Sequence, residues 1–179
     1  MAIFIITLLI IINFILNITI LPYFEILGVI PNTAIGIVVV IALLRGRYYG
    51  AFFGILIGFL HDMFFAPNIG VNPFIYFFIG YLIGYMDNIF ARDNVINPVI
   101  FTIIGTIFYN FIYFVFQYFL NMEFTTWNLL QRLISIELVY NGLVAIITYK
   151  IFRKIFDQPR LRFTRSKRWL NAIFKENKG

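Results

Sequence analysis

Long apolar stretches alternate with short polar segments along almost the whole of this chain. The apolar stretches cover residues 3–22, 28–44, 48–65, 73–90, 97–120 and 131–152, and the second and third are near the short limit for crossing a membrane. A helix rises about 1.5 Å per residue, so about 20 apolar residues cross the roughly 30 Å hydrocarbon core of a bilayer. The pattern predicts an all-α, polytopic integral membrane protein with six transmembrane helices.

Positive charges fall almost entirely in alternate loops of this arrangement. Thirteen of the 14 Lys and Arg residues lie on the side that holds both termini: Arg45, Arg47, Arg92, Lys150, Arg153, Lys154, Arg160, Arg162, Arg165, Lys167, Arg168, Lys175 and Lys178. The other side receives Arg132. The positive-inside rule assigns the charge-rich side to the cytoplasm. We therefore expect cytoplasmic N- and C-termini, with Glu25, Asp62 and Glu123 near the outer face.

The composition is typical of a protein whose solvent is lipid. Of 179 residues, 61% are hydrophobic and 12% are charged, which leaves too little polar sequence to cover six such stretches in water. We expect one transmembrane domain at residues 1–153 and a cytoplasmic tail at residues 154–179. Orientation and anionic lipid explain the net charge of +6, so we do not expect nucleic-acid binding.

The tail differs in composition from the rest of the chain. A cluster of cations precedes the apolar residues Trp169, Leu170, Ile173 and Phe174, which predicts a basic amphipathic segment on the inner leaflet. The residues expected to contact anionic lipid are Arg160, Arg162, Arg165, Lys167 and Arg168.

Glycines recur at every fourth position of the third apolar stretch. This stretch contains Gly50, Gly54, Gly58 and, in register, Asp62, and the fourth stretch contains Gly80 and Gly84. Residues four apart share one helix face, and small residues let helix backbones approach closely in lipid. The face is either an internal contact between these two helices or a groove that receives a helix from another protein.

Asp62, beside His61, is expected near the outer end of its helix. Three roles are open: a solvated carboxylate at the interface, an anchor for the turn at residues 66–72 or for a partner, and a proton relay. A relay needs a chain of acids or histidines across the membrane, which this sequence lacks.

Polar residues also lie deep within three of the stretches: Asn13, Asn17, Asn110, Gln117, Glu137 and Asn141. Spacings of four or seven residues put each pair on one helix face. The first interpretation is hydrogen bonding between helices, with Asn110 and Asn141 at similar depth across a pair of antiparallel helices. Glu137, the most deeply placed acid, is also the best candidate for contact with a small ligand.

The combinations of residues that catalysis needs are missing from the chain. With no cysteine and one histidine, thiolate metal sites and a two-histidine zinc site are excluded. The sequence has no glycine-rich phosphate loop and no Asp-rich cluster, and Ser135 and Ser166 have no nearby base. We therefore expect a protein that is not an enzyme, without catalytic, metal or cofactor sites.

An ordered series of short motifs occupies the segment from Pro31 to Tyr85, about a third of the chain. It consists of Pro-Asn at 31–32, Arg-Gly-Arg at 45–47, Gly-x3-Gly-x3-Asp at 54–62, Gly-Val at 70–71 and Gly-Tyr-Leu-Ile-Gly at 80–84. In this order and spacing the chain resembles the MreD family of rod shape-determining membrane proteins. Its length, span number and topology extend the resemblance to the rest of the chain.

The resemblance implies a non-enzymatic scaffold in the bacterial plasma membrane, within the cell-elongation (rod) complex. Family members regulate cell shape and lateral peptidoglycan synthesis through contact with the single-span protein MreC. They help to link the actin-like MreB to the glycosyltransferase and transpeptidase of elongation. The family has no catalytic residues to transfer to this sequence.

An alternative function comes from a second likeness, since MreD proteins resemble in fold the substrate-binding subunits of energy-coupling-factor transporters. The chain would then be a membrane-embedded small-molecule-binding subunit. Such subunits dock their transporter through small residues at every fourth position of the first helix. Here the first stretch has only Ala2, which disfavours this alternative.

Single cysteines test the topology, because the chain has none of its own. We expect Asn68→Cys and Asn94→Cys to lie on opposite sides of the membrane, the former outside. An impermeant thiol reagent added to intact spheroplasts should label only the first variant. Labelling of both variants from outside would contradict the topology.

Overall fold

The computed structural model describes residues 2–25, 32–65, 69–86, 96–119 and 127–156, and every regular element within them is helical. The elements are α1 (Ala2–Thr19), a short 3-10 helix (Leu21–Phe24), α2 (Thr33–Arg45), α3 (Arg47–Phe65), α4 (Val71–Met86), α5 (Ile96–Phe119) and α6 (Trp127–Phe156). The predicted all-α class is confirmed for these residues.

The helices differ in how well they match the thickness of a membrane. Among the described residues, α3 and α5, with 19 and 24 residues, are each long and apolar enough to cross it. α2 and α4 are apolar but have 13 and 16 residues, which correspond to roughly 20 and 24 Å. α6 has 30 residues and extends about a turn beyond its apolar stretch at each end. Its last turn carries Arg153 and Lys154, cations that suit a helix C-terminus.

α2 forms the centre of the bundle. Every residue from Thr33 to Leu43 is buried, and α2 contacts α3, α4, α5 and α6. A helix that is apolar on all sides is one that other elements surround. Because protein covers it, the short length of α2 does not have to match the hydrocarbon core.

A single residue, Gly46, joins α2 to α3. Its φ of +88° lies in the left-handed region that glycine adopts at little cost. The Gly46 N–H donates to the Ala42 carbonyl at 2.8 Å, and the Gly46 carbonyl accepts from the Gly50 N–H at 3.0 Å. The chain therefore reverses within one turn, with Arg45 and Arg47 on either side of it.

α3 and α4 pack backbone against backbone, in the most extensive contact between any two of these helices. The facing groups are Gly50 and Gly80, Gly54 and the Tyr76 carbonyl, Gly58 and Pro73, and Gly84 and the Arg47 backbone. A Cβ atom added at any of these glycines would overlap atoms of the facing helix. We call this contact the glycine interlock, and it places α4 on the face of α3 that carries the glycine repeat.

Basic residues gather at one end of the bundle. Asn32, directly before α2, lies beside Asn141 of α6, and Gly36 of α2 lies beside Ala145, so α2 and α6 run in the same direction. The cations brought to one end are Arg45, Arg47, Lys150, Arg153 and Lys154. The last turn of α1 meets the start of α2, so both ends of the described chain lie at this cationic end.

Two glycine substitutions test the interlock. We expect Gly54→Ala to lower the free energy of unfolding by about 1–3 kcal/mol, because the new methyl group meets the Tyr76 backbone, which cannot move aside cheaply. Gly36→Ala is the matched control, since its Cβ would lie 3.9 Å from the Ala145 Cα, an ordinary contact. The measurement is thermal unfolding in detergent. Equal effects of both substitutions would contradict a specific contact at Gly54.

Candidate functional site

Polar side chains from four helices and from the cap of a fifth meet inside the bundle, in the half remote from the cationic end. We call them the polar cluster: Asn32, Asp62, Asn72, Tyr76, Thr106, Tyr109, Asn110, Glu137 and Asn141. They come from α3, α4, α5, α6 and the residue that precedes α2. Polar groups surrounded by apolar side chains and lipid must bond to one another, because no bulk water is there to satisfy them.

Asp62 joins the end of α3 to the start of α4. Its side chain is 1% exposed; one carboxylate oxygen accepts from the Gly70 N–H at 2.5 Å and the other from Asn72 Nδ2 at 2.6 Å. The interpretation of Asp62 as a solvated end residue is therefore wrong, because the carboxylate is buried and accepts hydrogen bonds from Gly70 and Asn72. The geometry is that of the anchor, which holds Gly70 at a φ of +112°.

Asn72 extends this connection to α5. Its Oδ1 accepts from the Tyr109 hydroxyl at 2.8 Å, while its Nδ2 also lies 3.2 Å from His61 Nδ1. The Tyr109 ring in turn stacks on the ring of Tyr76, with centroids 5.6 Å apart. One buried amide thus ties α3, α4 and α5 together at the same level.

Asn32 connects α2 to α4 and α6. It caps α2, since its Oδ1 accepts from the Ile35 N–H at 3.4 Å. Its backbone N–H donates to Asn141 Oδ1 at 2.7 Å, and its Nδ2 donates to the Tyr76 hydroxyl at 3.0 Å. The cap of the central helix is therefore also the junction of three helices.

Glu137 links α5 to α6. Its two carboxylate oxygens accept from Asn110 Nδ2 at 2.9 Å and from Asn141 Nδ2 at 3.3 Å. Asn141 Nδ2 also lies 3.1 Å from Thr106 Oγ1. The two asparagines that the sequence places at similar depth are thus bridged by Glu137. Single hydrogen bonds between membrane helices contribute only about 0.6 kcal/mol on average, so the contact between α5 and α6 depends on several such bonds together.

The remaining residues of the predicted polar strip lie apart from this cluster. Asn17 Nδ2 donates to Thr33 Oγ1 at 2.6 Å and to the Asn13 carbonyl at 2.9 Å, which attaches α1 to α2. Gln117 is half-buried near the end of α5, outside the hydrogen bonds described above. The structure therefore divides the predicted strip into separate contacts.

A narrow cleft separates α1 from α2 and α3. Its volume is about 20 Å³, and Asn13, Asn17 and His61 supply its polar lining. That volume has room for about one water molecule. Within the described ranges, no group of three or more His, Cys, Asp or Glu residues is placed to hold a metal ion.

The sequence also predicts lipid-contact residues in the tail and a glycine face on α3. The predicted lipid-contact residues Arg160, Arg162, Arg165, Lys167 and Arg168 lie outside the described residues, as does Glu123. The glycines and Asp62 form a continuous series on α3, since the carboxylate follows the interlock by one turn.

The sequence pattern does not predict several members of the polar cluster. Asn32 and Asn72 carry a usable signal, because an asparagine directly before or within the first turn of an apolar helix is a typical capping residue. Tyr76, Thr106 and Tyr109 carry none, because aromatic and small hydroxyl residues are common throughout such helices. Tertiary contacts alone distinguish these three from their neighbours.

Comparison with known proteins identifies one family. The family model described as rod shape-determining protein MreD matches residues 1–158 of the chain. No curated protein matches, and no solved structure matches.

A pair of threonines one turn apart tests the polar cluster. Thr102 and Thr106 are both 0% exposed, but Thr106 Oγ1 bonds to Asn141 Nδ2 and to the Thr102 carbonyl, whereas Thr102 Oγ1 has no hydrogen-bond partner among the described residues. We expect Thr106→Val to lower the free energy of unfolding by about 0.6–1.7 kcal/mol. Thr102→Val, which removes an unpaired hydroxyl, should cause no loss. Unfolding in detergent measures both, and equal losses would count against the cluster.

Proposed function

We propose that this chain, which belongs to the rod shape-determining protein MreD family, is a non-enzymatic scaffold of the bacterial cell-elongation complex. Membership makes it a membrane protein that determines rod shape. The scaffold acts through contact with other proteins of the complex, and we assign it no catalytic step.

The close packing of α3 on α4 and the buried hydrogen bonds among the described helices carry the proposal. The glycine interlock brings two backbones together without intervening side chains, and the polar cluster connects five helices through buried hydrogen bonds. Such a frame holds its outer surfaces in fixed positions, because backbone contact leaves little room for the helices to slide. A scaffold needs this property, whereas a ligand-binding protein needs interior space.

The partner of this scaffold is MreC, the single-span membrane protein with which MreD proteins act. Through it the chain joins MreB to the glycosyltransferase and transpeptidase of lateral peptidoglycan synthesis. The proposed orientation is a six-span protein of the bacterial plasma membrane with both termini in the cytoplasm. The gathering of described cations at one end supports this orientation, and the basic tail adds contact with anionic lipid.

The small-molecule-binding alternative receives no support from the cleft beside α1. Ligand pockets typically enclose about 300–1,000 Å³, while this cleft encloses about 20 Å³. We propose the likeness to substrate-binding subunits of energy-coupling-factor transporters as a likeness in fold, without a function in small-molecule binding.

Two substitutions in the host separate scaffold from binder. We expect Gly58→Leu to round the cells and to reduce recovery of MreC with the tagged protein, because a large side chain would force Pro73 and α4 away from α3. Glu137→Gln should leave rod shape nearly intact, since it keeps the size of the side chain and most of its hydrogen-bonding capacity. Cell shape, membrane level of each variant and MreC recovery are measured together.

The opposite order would contradict the scaffold. Round cells from Glu137→Gln, at normal membrane level and with normal recovery of MreC, would favour a binding role for the buried acid. Rod-shaped cells with unchanged MreC recovery from Gly58→Leu would show that the interlock is not needed for function.

A further inference from the structure

The turn between α2 and α3 presents two arginines at the cationic end of the bundle. Arg45 is the last residue of α2 and Arg47 the first of α3, with Gly46 between them. Gly84, in the last turn of α4, lies directly against the Arg47 backbone. The interlock therefore fixes the position of Arg47 relative to the end of α4.

The Arg47 guanidinium is surrounded by tyrosine rings. Its Cζ lies 4.8 Å from the ring centre of Tyr48, 5.7 Å from that of Tyr85 and 5.8 Å from that of Tyr81. Its Nη2 also donates to the Tyr48 hydroxyl at 2.9 Å. Contacts of a cation with ring faces hold the side chain in place without neutralising its charge.

Among the described residues, the Arg47 guanidinium interacts with the three tyrosines and with no acidic side chain. The site also opens outward, because Tyr48 is 70% exposed and Tyr85 is 61% exposed. A guanidinium that is held in place and has no acidic partner in the described part of the chain is suited to an anionic oxygen ligand, and to phosphate above all.

Exposed apolar side chains continue from the tyrosines toward the middle of the bundle. Phe52 lies one turn beyond Tyr48 on α3 and is 56% exposed, and Leu82 lies one turn before Tyr85 on α4 and is 47% exposed. These residues share helix faces with the tyrosines, because residues three or four apart are neighbours on a helix. The surface is thus cationic at the end of the bundle and apolar immediately below.

We propose that Arg47, Tyr48, Tyr81 and Tyr85 form a binding site for the headgroup of an anionic phospholipid, whose acyl chains lie along Phe52 and Leu82. The guanidinium binds the phosphate, and the tyrosines lie at the level of the headgroups, where such rings are enriched. On the proposed orientation this is the cytoplasmic leaflet. The site needs residence in a membrane but does not depend on the scaffold function.

The test is lipid binding to the full-length protein in detergent, followed by native mass spectrometry. Dioleoylphosphatidylglycerol is titrated as the anionic probe and dioleoylphosphatidylcholine as the zwitterionic control. Arg47→Gln is compared with Lys150→Gln, which removes the same charge from an exposed position at the same end. We expect Arg47→Gln to weaken binding of the anionic lipid about five-fold more than Lys150→Gln does, a difference that corresponds to about 1 kcal/mol.

A variant that retains every charge tests the contribution of the tyrosine rings around Arg47 separately. Tyr85→Leu should weaken binding of the anionic lipid by a smaller factor, because it removes one ring that holds the guanidinium. Equal weakening by Arg47→Gln and Lys150→Gln would indicate general surface charge and overturn the proposal. Unchanged binding by Arg47→Gln would also overturn it.

Two further measurements test whether Arg47 binds a free anion or an acidic side chain instead of a lipid. Inorganic phosphate at matched ionic strength should not displace the lipid, and displacement would identify a site for free anions instead.

Asp87 follows α4 in the sequence, outside the described residues. If Asp87→Asn and Arg47→Gln lower the unfolding temperature equally and without additivity in lipid-free detergent, Arg47 serves an internal ion pair and the lipid proposal fails.

Discussion

The direct contact between the backbones of α3 and α4 is the constraint on which the rest of this structure depends. Glycine at five positions removes the side chains that would otherwise keep these helices apart. In lipid, helices gain little from apolar burial as such, so close packing and hydrogen bonds have to hold them together. The interlock supplies the packing. It also fixes which residues of α3 and α4 lie side by side at both ends of the contact.

At one end of this contact the register creates the anchor between Asp62 and Asn72, and through it the polar cluster. A shift of α4 by one residue along α3 would separate the carboxylate from both of its donors, Gly70 N–H and Asn72 Nδ2. Tyr76 would then no longer meet Asn32, the cap of the central helix. Packing and hydrogen bonding thus support the same arrangement, and each penalises departure from it.

At the other end the same register places Arg47 beside Tyr81 and Tyr85. Gly84 brings the end of α4 against the Arg47 backbone, so the guanidinium meets rings that belong to a different helix. The bundle therefore has a polar, hydrogen-bonded interior in one half and a cationic, aromatic surface at the opposite end. This asymmetry is what the proposed scaffold requires, with charges that orient it and an interior that keeps it rigid.

The sequence by itself determined the helical class, the asymmetry of charge and the placement of the glycine repeat and Asp62 on one face, because these properties depend on the order and spacing of residues within single helices. It also indicated the family, through short motifs in a fixed order. Only the tertiary structure decided that α4 occupies the glycine face, that α2 lies at the centre, and that Glu137 bridges Asn110 and Asn141. The same is true of Thr102 and Thr106, which look alike in sequence but differ in their partners. A periodic pattern reports which residues share a face, whereas the identity of the facing helix depends on packing between segments distant along the chain.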